Sequence, residues 1–108
     1  MDTNSLILTL LNLKGWGPKK VHSYVYAHDF DYKKCVNGLV VELDDTEKYY
    51  FKIELAKSKR TLENNYNKGI NAINILDKCF PSKLYFTNEK CVFLYYIGNI
   101  DLLQENSI

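Results

Sequence analysis

The chain has 108 residues, of which 46% are hydrophobic, 25% charged and 14% aromatic. That length fits one domain, or one small domain with part of another, around a modest core, and the aromatic content with balanced charge excludes a disordered chain. The net charge of +1 provides no global basic field, so any contact with nucleic acid has to come from local clustering.

Thirteen of the fourteen basic residues are lysine, Arg60 being the exception. Bidentate guanidinium reading of base edges is therefore not expected. Cys35, Cys79 and Cys91 are odd in number and contain no CxxC pair, which argues against a zinc site or a disulfide framework. Reduced thiols in a cytoplasmic protein are the expectation. Residues 1–13 lack the basic segment and cleavage site of a signal peptide. The longest apolar run, residues 91–97, is too short to span a bilayer.

In chain order, Asp2, Thr3, Asn4 and Ser5 are all capable N-caps. Leu6, Ile7, Leu10 and Leu11 then fall on one helical face, predicting a helix that ends near Leu13. Lys14-Gly15-Trp16-Gly17-Pro18 breaks it, and Pro18 suits the first position of a second helix. There Val21, Tyr24, Val25 and His28 form a stripe facing the first helix. Residues 31–44 keep helical spacing at Tyr32, Cys35, Val36, Leu39 and Val40, with Gly38 as a weak spot.

Asp44-Asp45-Thr46 reads as a turn and cap, opening a long helix to Asn67. Phe51, Leu55, Leu62 and Tyr66 lie within about 60° of one another at 100° per residue, which predicts one buried face. Gly69 ends that helix. Ile70, Ile73, Ile75 and Leu76 form a short β-type run, and Phe80-Pro81 breaks it. Leu84, Tyr85 and Phe86 suit a helical turn. Residues 92–97 are apolar without alternation, the pattern of a strand covered on both faces. Gly98-Asn99 closes it, and Ile100, Leu102 and Leu103 suit another turn. The fold class is thus α+β, mainly α. A helical bundle over residues 1–68 is followed by a two-strand segment within residues 69–108.

The most informative local motif is Leu13-Lys14-Gly15-Trp16-Gly17-Pro18-Lys19-Lys20-Val21. A helix, an apolar residue, Gly-x-Gly and a basic helix start make the pattern of a helix-hairpin-helix. Its glycines let the backbone approach a phosphate, and N–H groups at the second helix start carry partial positive charge. Lys14, Lys19 and Lys20 add a Coulomb contribution that does not read sequence. Cations in a first helical turn oppose the helix dipole, which favours an anion partner. A Gly-x-Gly-Pro turn is equally a good tight connection with no ligand at all. Trp16 suits a base-stacking platform, although a lone Trp between helices is more often core. His22 and His28 have no partner at metal spacing, and no metal or cofactor is expected. Nucleotide-binding glycine motifs and nucleophile motifs are absent, so the chain reads as non-enzymatic.

These segments resemble the DprA/Smf family of DNA-processing proteins. The family opens with an apolar helix and a Leu-x-Gly-x-Gly-Pro segment followed by basic residues, as residues 6–20 do here. It continues with a Gly-led strand, an aromatic-Pro-x-x-Leu element, and a Val-Leu-aromatic strand closing on Gly-Asn and a Leu-Leu pair. This chain has residues 69–76, Phe80-Pro81-Ser82-Lys83-Leu84, residues 92–99 and Leu102-Leu103 in that order. Asn88-Glu89-Lys90-Cys91 replaces the family's Asp-Pro-Pro-like stretch, so a rigid turn is lost.

The resemblance implies a helix-hairpin-helix or SAM-like domain over residues 1–68, with residues 69–108 starting a truncated Rossmann-like domain. The family's Gly-Ser/Thr-Arg and Gly-Gly-rich segments would follow Ile108. The implied role is handling of single-stranded DNA and loading of a RecA-type recombinase during natural transformation. Here the DNA-binding residues would be Lys14, Gly15, Trp16, Gly17, Lys19 and Lys20, with weak, non-specific phosphate contact. The competing expectation is a protein-interaction or domain-positioning module that does not bind DNA and exposes apolar surface at residues 92–97.

Overall fold

Asp2, Asp31 and Asp44 each start a helix in the same way. Each is extended in backbone, and its carboxylate accepts from the backbone N–H three residues on, at 2.7, 3.0 and 2.7 Å. Each bond satisfies one of the N–H groups that a helix start leaves without an acceptor. At Asp44 the cap is reciprocal, because Glu47 Oε1 accepts from Asp44 N at 3.2 Å. In the computed structural model, which describes residues 1–78, 80 and 91–97, the helices are α1 Thr3–Asn12, α2 Pro18–Ala27, α3 Tyr32–Glu42 and α4 Asp45–Asn67. Strands β1 Asn71–Asn74 and β2 Phe93–Tyr96 follow and pair antiparallel, with Asn71 opposite Tyr96 and Asn74 opposite Phe93. The class is α+β, mainly α, as the sequence predicts. Cys79, residues 81–90 and residues 98–108 lie outside the described residues. With them go the expected Pro81–Leu84 element, the turn at Leu84, Tyr85 and Phe86, and the Gly98-Asn99 and Leu102-Leu103 segments.

Helix α1 is the centre of the molecule. Leu6, Ile7 and Leu10 are fully buried, and α1 packs against α2, α4 and both strands. Burying one such side chain is worth about 1.5–3 kcal/mol, so this helix carries a large share of the core. One continuous cluster joins Leu6, Ile7 and Leu10 to Val21 and Val25 of α2, Cys35 and Leu39 of α3, and Ile73, Ile75, Phe80 and Val92. An isolated strand pair is marginal in water. Here the pair lies on α1 and is fastened to it by Asn74. That side chain is fully buried, donates to Thr3 Oγ1 at 3.1 Å and Asn4 Oδ1 at 2.7 Å, and accepts from Leu76 N at 2.8 Å. Asn4 Nδ2 returns a bond to Ala72 O at 3.1 Å.

Helix α4 departs from the expected face. Phe51, Leu55 and Leu62 are half-buried, but Tyr66 is 71% exposed and the fully covered residue is Ser58. Helices α1 and α4 pack together, and each buries small polar residues, Ser5 and Thr9 on α1 and Ser58 on α4. With Ser58 the covered position of α4, Tyr66, eight residues on and about 80° further round the helix, falls outside the buried face. The helix ends in a Schellman turn, with Gly69 at φ +83°, its N–H bonding Tyr66 O at 3.0 Å and Ile70 N bonding Asn65 O at 2.9 Å.

Four further expectations change. Val40 is 68% exposed, because Cys35 and Leu39 suffice to seat α3 on the core. Ile75 and Leu76 lie in a turn beyond β1 instead of extending it. The 92–97 segment is covered on one side only: Val92 is buried, whereas Tyr95 and Ile97 face solvent. Gly38 is no weak spot but a close approach, since the rings of Tyr24 and His28 occupy the space a Cβ would need.

Candidate nucleic-acid interface

The 13–20 hairpin is anchored at both ends by buried side chains. The Leu13 N–H bonds Leu10 O at 3.1 Å, and Trp16 N bonds Leu13 O at 3.0 Å, which folds the chain back after α1. Gly15 sits at φ +86°, a region that suits glycine. Gly17 is the extended N-cap of α2 and has no side chain to cap with, and Pro18 occupies the first helical position. Val21 N bonds Gly17 O at 3.0 Å. The N–H groups of Lys19 and Lys20 therefore lie in the first turn, where no helical acceptor exists.

Trp16 is core and not a stacking platform. It is 4% exposed, and its ring meets Tyr24 edge-on, with centroids 5.4 Å apart and planes at 69°. Its buried Nε1 has no hydrogen-bond partner among the described residues. The ring face instead takes a cation: Lys20 Nζ lies 4.4 Å from the ring centroid. That contact holds one positive charge at the start of α2. Lys14 and Lys19 are exposed, and none of the three lysines makes an ion pair among the described residues. No Asp or Glu occurs between Asp2 and Asp29. The hairpin and α2 thus carry local positive charge that no neighbour in sequence cancels, within a chain of nearly zero net charge. The hairpin can hold an anion by charge and by N–H donation.

Behind the hairpin, Tyr24 ties α2 to α3. Its Oη donates to Cys35 O at 2.7 Å, and its ring lies 4.1 Å from that of His28. His28 Nδ1 donates to Tyr24 O at 2.7 Å, a carbonyl being only an acceptor. Burial, then the nearby Cys35 and Glu42, push the Tyr24 hydroxyl up to about 12. Burial, then Asp31, push the Cys35 thiol up to about 11. Both groups are held neutral as parts of the support. At the far end of α2, Asp29 and Phe30 take left-handed backbone at φ 59° and 52°. The Asp29 carboxylate bonds Lys34 Nζ at 2.7 Å, and that lysine holds it below the usual carboxylate range.

Of the sequence-predicted residues, Lys14, Gly15, Lys19 and Lys20 are exposed, Gly17 is half-buried, and Trp16 is buried. Among the described residues, no group of His, Cys, Asp and Glu side chains is placed to hold a metal ion, and no helix is long and apolar enough to cross a membrane. No family model, curated protein or solved structure matches the chain.

Proposed function

We propose that this chain is the N-terminal module of a cytoplasmic, non-enzymatic DNA-processing protein similar to the DprA/Smf family. In that role it contributes to handling single-stranded DNA and, through the full-length protein, to loading a RecA-type recombinase during natural transformation. The contribution of the module is weak, sequence-independent phosphate contact at the 15–20 hairpin. The observation that carries the reading is the start of α2, which has no side-chain cap, follows Lys14 and carries Lys19 and Lys20, in a stretch of sequence with no Asp or Glu between Asp2 and Asp29.

Salt dependence tests it. Three phosphate contacts on a single strand give a log–log slope of about −2, or about a twentyfold loss of affinity between about 50 and 200 mM salt. The Lys14→Ala/Lys19→Ala/Lys20→Ala variant should lose most of that slope. Absence of binding at low salt, or equal binding by the variant, refutes the reading. The exposure of Tyr95 and Ile97 favours a second reading, a protein-interaction or domain-positioning module. That module would bind its partner with little salt sensitivity and ignore oligonucleotides.

A further inference from the structure

A groove of about 460 Å³ opens beside the hairpin. One wall is Asn12, Leu13 and Lys14, where α1 gives way to the turn. The other is one face of α4: Thr46, Tyr50 and Glu54 at successive turns, with Glu47. Tyr50 is 54% exposed, and its ring meets that of Tyr49 edge-on with centroids 5.5 Å apart, so much of the ring stays open to solvent. We propose that this groove receives an unpaired base of a single-stranded nucleic acid, stacked on Tyr50, while the adjoining phosphate lies on Lys14. The inference rests on the phosphate-binding reading of the hairpin and adds to it the element that distinguishes a single strand from a duplex.

Three features favour this occupant. The groove offers an aromatic face within the same depression as a lysine that makes no ion pair among the described residues, and aromatic faces beside backbone cations are how proteins hold single strands without reading sequence. Leu13, in its wall, is apolar and buried, which suits a base plane more than a solvated phosphate. The two carboxylates on its α4 side would repel phosphate inside the groove, and they direct the backbone outward to the lysines. Glu47 is engaged in the Asp44 cap, and Glu54 lies 3.6 Å from Lys57 Nζ. Both remain acceptors for base N–H groups. In a duplex the bases are stacked and paired, so Tyr50 cannot reach them.

The test compares a short oligothymidylate with an abasic strand of equal length, using the full chain at low salt and anisotropy of the labelled strand. The wild type should prefer the base-bearing strand by about fivefold or more, the lower end of what one aromatic–base stack supplies. Tyr50→Ala should reduce that preference to nearly nothing and leave abasic binding unchanged, while Tyr50→Phe keeps it. Tyr66→Ala, removing an exposed tyrosine of the same helix that does not line the groove, should also keep it. Unchanged thermal unfolding of Tyr50→Ala checks that its loss is local. Equal wild-type affinity for the two strands, or a preference that survives Tyr50→Ala, overturns this inference and leaves the phosphate reading standing. Failure of both strands to bind, or undiminished binding by the triple lysine variant, overturns both.

Discussion

An alanine in place of a glycine inside a helix ordinarily stabilises it by about 1 kcal/mol. At Gly38, in the middle of α3, the sign should reverse. A Cβ there would lie 2.5 Å from His28 Nε2 and 2.6 Å from Tyr24 Oη. Neither group can yield cheaply. Tyr24 Oη is held by Cys35 O at 2.7 Å, and His28 is pinned by its bond to Tyr24 O at 2.7 Å and by the adjacent ring. Overpacking costs about 1–3 kcal/mol, and losing the buried Tyr24 bond adds about 1 kcal/mol. Set against the helical gain of about 1 kcal/mol, Gly38→Ala should destabilise by about 1–3 kcal/mol. Urea unfolding should show a lower midpoint with an unchanged slope, and the melting temperature should fall by about 5–15 °C. In Tyr24→Phe, which lacks the clashing hydroxyl, the added cost of Gly38→Ala should be smaller. A Gly38→Ala protein as stable as the wild type, or more so, refutes the argument.

Ser58→Ala should stabilise. The buried Ser58 Oγ has no hydrogen-bond partner among the described residues, and removing an unsatisfied hydroxyl while improving helix propensity should raise stability by about 1 kcal/mol, read from urea midpoints. Asn74→Ala should cost about 2–4 kcal/mol, because it leaves Leu76 N, Thr3 and Asn4 short of partners and unfastens the sheet from α1; amide exchange in β1 should speed up first. Alkali should destabilise in two stages. The Cys35 thiol is raised from 9.0 to about 11 and the Tyr24 hydroxyl from 10.0 to about 12, so the folded state keeps protons that the unfolded chain has released. Their contribution is complete below about pH 9 and is lost as pH rises through about 11 and 12. Unfolding midpoints should be flat to about pH 9 and then fall, and Cys35→Ala should remove the earlier part of the fall.

Much of the fold was legible because its signals are local. Asp2, Gly15, Pro18, Asp44 and Gly69 mark helix ends by capping chemistry and backbone geometry that do not depend on what packs nearby. What could not be read was which of several similar faces the tertiary contacts would choose. Periodicity put Tyr66 with Phe51 and Leu55, yet the covered position of α4 is Ser58 and Tyr66 is exposed. Gly38 looked like a helix defect because its reason, two rings from the preceding helix, lies ten or more residues away in sequence. Asn74 is a polar residue in an apolar run, and its partners Thr3 and Asn4 are at the other end of the chain. The groove between Lys14 and Tyr50 joins segments whose proximity no local pattern encodes.

The same division governs how the hairpin can be tested. Its lysines are exposed, so replacing them should change charge without changing the fold. Trp16 is different. It lies under the turn, touches Tyr24 and carries the Lys20 ammonium on its face. Truncating a buried aromatic costs about 3–5 kcal/mol, a large part of the stability of a domain this size. Trp16→Ala should therefore abolish any anion binding by loosening the turn that aims the Lys19 and Lys20 N–H groups, and it would report on support, not contact. Lys20→Met separates the two roles. It keeps a flexible chain over the indole but removes the charge, so loss of salt-dependent binding at unchanged stability would assign Lys20 to the phosphate itself.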